Sequence, residues 1–216
     1  MQKKHELTMM EVSKKIKRKQ ILCDVSFHAA SGEIVGFKGE NGSGKTMLFR
    51  VTAGLIFPDK GRVLYDGKQL WKDADPVIGL MIENSSLFPD LTGYENLASL
   101  ASIRKVIGAE EIKKAITKVG LDPEDGRLFK EYSLGMKQRL MMAQAIMENP
   151  EILILDEPTN GLDPDGKKLF LDLICEEASQ GKIVLLSTHI EEDLAQICHR
   201  IYHVSNKTVS EMKEGL

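Results

Sequence analysis

The sequence predicts an α/β fold: a mixed, mostly parallel sheet, an antiparallel β portion near the N-terminus and an inserted helical subdomain. Three observations carry this. Short apolar runs that fit buried strands recur at 33–37, 77–82, 151–155 and 182–186. A glycine-rich loop follows the first run and opens onto a helix pattern. From about residue 92 to 149 the period changes, with Ile112, Ala115, Ile116 and Val119 spaced as on one helix face.

Taken in order, Val25-Ser26-Phe27-His28 alternates as a strand, and Ser31-Gly32 turns the chain into the run at 33–37. Residues 39–46 read Gly39-Glu40-Asn41-Gly42-Ser43-Gly44-Lys45-Thr46, which fits G-x-x-x-x-G-K-[ST]. Glycines let successive backbone N–H groups turn inward onto phosphate oxygens. Lys45 reaches the outer phosphates, the Thr46 hydroxyl suits Mg²⁺, and the helix beginning at Met47 aims its positive end at the anion. Strand, glycine loop and helix together are the context of a P-loop NTPase core, so ATP and Mg²⁺ are the expected cofactors. Gly61-Arg62-Val63-Leu64-Tyr65 with Asp66-Gly67 reads as a hairpin strand and its turn. The helical stretch, broken at Gly120, Pro123 and Gly126, interrupts the core. The expected division is an α/β core at about 1–90 and 150–216 with a helical subdomain at about 91–149, all one domain. Pro164 sits where a helix can begin.

Bulk properties exclude several classes. The 216 residues are 42% hydrophobic and 28% charged, as for a globular chain with a real core. The formal net charge of -3 gives no global basic field, so nucleic acid is not an expected partner. The first twenty residues are locally basic, holding seven Lys and Arg (Lys3, Lys4, Lys14, Lys15, Lys17, Arg18, Lys19) against Glu6 and Glu11, as in a solvated hairpin or a contact to anionic headgroups or phosphates. There is neither a membrane-spanning apolar run nor the apolar stretch of a signal peptide. Cys23, Cys175 and Cys198 are widely spaced and suggest structural thiols in a reducing cytosol.

A second half of the site follows from chemistry. Ile152-Leu153-Ile154-Leu155-Asp156 is an apolar strand ending in the carboxylate that a P-loop enzyme needs opposite Thr46 to hold the metal shell. Glu157 comes next, turned differently by strand alternation, and is placed to polarise an attacking water.

Leu155-Asp156-Glu157-Pro158-Thr159-Asn160-Gly161-Leu162-Asp163-Pro164 resembles the Walker B and D-loop stretch of ABC-type ATPases, with Asp163 in the D-loop. Tyr132-Ser133-Leu134-Gly135-Met136-Lys137-Gln138-Arg139 resembles their signature, and Ser187-Thr188-His189 their switch histidine. The resemblance covers essentially the whole chain. It implies that His189 contacts the γ-phosphate with Glu157. It also implies that Ser133, Gly135 and Gln138 act on a partner's ATP, hence a head-to-tail dimer, homo- or heteromeric. Glu83 stands where the family usually has a metal-ligating glutamine. The stretch from Glu83 to Leu97 resembles the bacitracin- and lantibiotic-type exporter ATPases in particular. Ile16 falls where an adenine-stacking aromatic is usual, and Lys38 where the residue is usually apolar.

The resemblance implies the motor subunit of an ABC transporter, peripheral on the cytoplasmic face of the membrane and driving a transmembrane permease, for peptide antibiotic or drug export. Phe88, Leu91 and Tyr94 are candidate permease contacts. A soluble ABC ATPase acting on DNA, ribosomes or cluster assembly is the alternative. A nucleotide-gated binding module without hydrolysis fits poorly with Lys45, Asp156, Glu157 and His189 together.

Overall fold

The computed structural model describes residues 4–82 and 87–212, apart from the side chains of Glu191 and Asp193. Strands β1 (Glu6–Ile16) and β2 (Lys19–Ala30) form an antiparallel hairpin. Its turn holds Lys17 and Arg18, both at positive φ (47° and 66°), so the twist of a two-residue hairpin turn is met here without glycine. Among the described residues the basic N-terminal stretch is therefore mostly strand, with Lys4, Lys15, Lys17 and Lys19 exposed and Lys14 paired to Asp59 at 2.9 Å.

Strand β3 (Ile34–Lys38) leads through the glycine loop into helix α1 (Lys45–Thr52). Strands β4 (Lys60–Tyr65) and β5 (Lys68–Gln69) complete a four-stranded antiparallel sheet in the order β2-β1-β4-β5. The expected antiparallel portion is thus a sheet of its own.

Strand β6 (Ile78–Met81) precedes three helices, α2 (Gly93–Arg104), α3 (Ala109–Lys118) and α4 (Leu134–Ile146). Helix α2 starts at a capping box, Thr92 with Glu95. Helix α4 runs back under β6, where a Cβ on Gly79 would lie 2.0 Å from the Ala145 carbonyl oxygen, so only glycine allows this approach. Then come β7 (Ile152–Asp156), α5 (Pro164–Ser179), β8 (Ile183–Thr188) and α6 (Glu191–Ile197). Pro164 occupies the first turn of α5, as its position predicts. Two further strands, β9 (Arg200–Ser205) and β10 (Thr208–Glu211), were not expected from the sequence.

The six-stranded sheet has the order β10-β9-β3-β8-β7-β6, parallel except for the β9–β10 pair. Side chains alternate between its faces. Ile34, Leu153, Leu155, Val184 and Leu186 pack with α2–α5, while Val35, Phe37, Ile154 and Leu185 pack with α1 and the antiparallel sheet. Burial on both faces is why these strands read as continuous apolar runs rather than alternating ones. Cys198 joins the packing against Gly36, and burial pushes its thiol up to about 12, in keeping with a structural role.

One polar network ties the helical insert to the core. Glu177 on α5 is 1% exposed and accepts from Lys118 of α3 at 2.6 Å and from buried Lys182. Burial works against the Lys118 charge, but its hydrogen bonds to Glu177 and Glu176 prevail and hold its pKa above the usual lysine value. Glu177→Ala leaves Lys182 buried without its counter-charge. It is expected to cost roughly 3–5 kcal/mol, read as a lower urea midpoint at unchanged slope.

Candidate nucleotide site

Three adjacent parallel strands, β3, β8 and β7, end side by side. Their register pairs Lys38 with Thr188 and Asp156 with Ser187. Each strand delivers one piece of chemistry at its C-terminal end: the glycine loop after β3, Asp156 and Glu157 at β7, and His189 after β8. Ligands of such sheets bind at this edge.

Lys45 opens α1 and is 6% exposed. Its ammonium donates to the carbonyls of Gly39 at 2.6 Å and Glu40 at 3.3 Å and lies 3.6 Å from Glu157 Oε1. Thr46 Oγ1 donates to Asp156 Oδ2 at 2.6 Å, and the Ser187 hydroxyl donates to Asp156 Oδ1. The backbone at Glu157 is left-handed (φ 51°), a bend uncommon outside glycine. Its N–H meets the carbonyl and hydroxyl oxygens of Ser187 at 3.1 and 3.2 Å, which fixes that bend. The turned side chain places Glu157 Oε2 2.9 Å from His189 Nδ1. With Nδ1 facing the carboxylate, the neutral imidazole that donates there leaves Nε2 as its acceptor.

These groups surround an open cavity of about 450 Å³. Of the residues expected to bind nucleotide, Asn41, Gly42, Gly44, Lys45, Thr46, Asp156, Glu157 and His189 line it. Gly39 and Glu40 take part through the carbonyls that hold Lys45. The Ser43 hydroxyl and Glu157 Oε1 are buried with no hydrogen-bond partner; Glu157 lines the cavity, whereas Ser43 does not and its hydroxyl lies beside Gly39. A Cβ on Gly39 would meet the Val204 carbonyl oxygen at 2.4 Å, so β9 packs directly under the loop.

Ile16 does not line this cavity. It ends β1, 37% exposed, and the apolar wall comes from Ile21 and Met47. Sequence reasoning missed Ile21, Met47, Arg50 and Ser187. Met47 and Arg50 lie one and four residues past Thr46, a helical face legible from period alone; Ser187 needs the β7–β8 register. Glu83 lies outside the described residues.

Ser133, Gly135 and Gln138 are away from the cavity, at the start of α4. Ser133 caps that helix, accepting from the Met136 N–H at 3.2 Å, and Gln138 Oε1 is buried without a partner. Asp163 caps α5 through the Gly166 N–H at 2.9 Å. The two helix starts touch: a Cβ on Gly161 would lie 2.6 Å from Leu134 Cδ2, and one on Gly135 3.6 Å from Leu162 Cδ2. Phe88 is 55% exposed, while Tyr94 packs partly into the helical core.

A strand-loop-helix phosphate cradle facing paired carboxylates and a histidine defines a P-loop nucleoside triphosphatase. Residues 22–160 match the ABC transporter family model, and the chain belongs to that family as an ATP-binding cassette. It is 40% identical over 194 residues to the ABC transporter ATP-binding protein YybJ of Bacillus subtilis, covering 89% of each chain. It is 38% identical over 200 residues to the bacitracin transport ATP-binding protein BcrA of Enterococcus faecalis, covering 87% of this chain and 64% of that one. In three of its relatives, BcrA among them, it spans only 63–65% of the length. Among solved structures, the dimeric MJ0796 cassette, 25% identical, superposes with a TM-score of 0.85 over 97% of this chain and 100% of that one.

Proposed function

We propose that this chain is the ATP-hydrolysing motor of an ABC transporter that exports peptide antibiotics or drugs. The observation that carries hydrolysis is Glu157, held between Lys45 and His189 beside the Thr46–Asp156 pair. Lys45 and the loop N–H groups bind the triphosphate and neutralise charge that develops on it. Glu157 takes the proton of the attacking water, and His189 orients that carboxylate through Nδ1. Thr46 and Asp156 present two oxygens on facing elements, a hard donor pair that fits Mg²⁺. When bound there, the ion supplies positive charge to the outer phosphates. Glu83 is a further candidate ligand.

The phosphate-binding groups cluster in one cavity, while the cap of α4 lies elsewhere in the same chain. This favours a head-to-tail pair in which Ser133 and Gly135 reach a second cassette's nucleotide; the similar MJ0796 cassette is dimeric. The division into an α/β core (about 1–90 and 150–216) and a helical subdomain (about 91–149) then lets ATP-driven closure move the insert against a membrane-embedded permease. Among the described residues no helix is long and apolar enough to cross a membrane.

The specific ATPase rate is expected to rise with protein concentration, and Ser133→Arg to abolish that rise while monomer ATP affinity stays within threefold. A specific rate independent of concentration in the wild type refutes the paired site.

A further inference from the structure

None of the lysines of the β1–β2 hairpin lines the nucleotide cavity, and the fold gives them neighbours that the sequence keeps far apart. β1 ends where β4 begins, with Ser13 opposite Lys60. The Asp59 N–H donates to the Ser13 carbonyl at 2.9 Å. The Asp59 carboxylate accepts from the Lys15 N–H at 2.7 Å and from Lys14 Nζ at 2.9 Å. The hairpin tip and the loop at 54–59 are thereby fastened into one end of the antiparallel sheet. β5 runs back toward the same end and brings Trp71 there: a Cβ on Gly54 would lie 2.2 Å from the indole ring. Four large apolar side chains are exposed on this end, Leu55 (61%), Phe57 (68%), Ile16 and Trp71. Residues 13–24, 54–62 and 71–73 hold eight basic side chains against three acidic ones, Asp24, Asp59 and Asp73, in a chain whose formal net charge is -3. Lys17, Arg18, Lys19, Lys60 and Lys72 are among the exposed cations.

Charge and apolar tips together select a partner. Phe57 and Trp71 share a hollow of only about 80 Å³, too small to seat a partner's helix. The apolar groups stand instead on two loops and a hairpin tip, as separate projections among Lys and Arg. A layer of anionic headgroups over hydrocarbon meets both features: the cations face phosphates, and the apolar tips enter the boundary beneath them. Tryptophan suits that boundary because its ring is apolar and its N–H polar. We propose that this end of the antiparallel sheet binds an anionic lipid surface directly, with Lys17 and Arg18 at the headgroups and Leu55 and Phe57 inserted. This contact is separate from any held through a permease and does not rest on ATP hydrolysis.

Co-sedimentation of the whole chain with vesicles tests it, comparing phosphatidylcholine alone with an equimolar mixture of phosphatidylglycerol and phosphatidylcholine. The wild type is expected to bind the mixed vesicles at least tenfold more tightly, and less tightly as salt is raised. Trp71 is the chain's single tryptophan, so its emission reports on this end and is expected to shift to the blue on binding. The Lys17→Glu/Arg18→Glu pair is expected to weaken vesicle binding at least tenfold while ATP affinity stays within threefold of wild type. Leu55→Ser with Phe57→Ser is expected to weaken it at least threefold. Absent binding, or equal binding to the two vesicle types, overturns the proposal, and neither reading needs a variant. Binding without a change in Trp71 emission places the lipid on another surface and overturns it as well. So does a charge-reversed pair that keeps vesicle affinity but loses ATP affinity, which assigns the hairpin tip to the nucleotide. Self-association in the absence of vesicles, abolished by the Leu55 and Phe57 substitutions, assigns this end to a second copy of the chain instead.

Discussion

Lys45→Ala is expected to lower ATP affinity at least 100-fold. The ammonium is buried at the start of α1, beside the Gly39 and Glu40 carbonyls and the Glu157 carboxylate. It is the charged side-chain donor that the loop aims at the outer phosphates. Two charge-assisted hydrogen bonds in a partly desolvated cleft are worth about 3 kcal/mol together, which is roughly the stated loss. A further penalty follows from Glu157, whose carboxylate would face the triphosphate without an intervening cation. Lys45→Arg is expected to recover little, because a planar fork does not fit where a compact ammonium reaches two carbonyls. Affinity within threefold of wild type by calorimetry would remove the phosphate-binding assignment.

That lysine was legible in the sequence because its role depends on local spelling. The glycine positions, the lysine and the hydroxyl residue all fall within one eight-residue loop, so no tertiary information is needed. The same holds for Asp156 and Glu157, which end an apolar run, and for Pro164, whose ring sets the first turn of α5. What the sequence concealed depends on strand order. β9 reads Arg200-Ile201-Tyr202-His203-Val204-Ser205, a polar-looking run that becomes a core strand only because it pairs with β3. Ser187 looks like an ordinary strand-end residue until the register with β7 puts its hydroxyl on Asp156. The family resemblance puts Ile16 where a base-stacking aromatic is usual. Yet the hairpin turn at Lys17 and Arg18 carries the chain back, so Ile21 on the returning strand forms the wall.

Glu157→Gln is expected to lower the ATPase rate by at least 100-fold while leaving ATP bound. The substitution keeps the shape of the side chain, so the left-handed bend and its two contacts to Ser187 survive. What it removes is the basic oxygen, and a positioned general base is worth on the order of 10²–10⁴ in rate. Binding is expected to hold or tighten, since one negative charge leaves the neighbourhood of the triphosphate while Lys45 stays. His189 provides a control: without the carboxylate, its Nδ1 faces an amide, so His189→Ala should add little to the Gln variant although it slows the wild type. Such non-additivity marks two groups that act as one unit. With hydrolysis blocked and ATP retained, the paired form has no route back to monomers and should accumulate, doubling the mass seen by light scattering in ATP but not in ADP. Full ATP occupancy with a persistent monomer would break the link between nucleotide and pairing. An ATPase rate within threefold of wild type would instead move the general base away from Glu157.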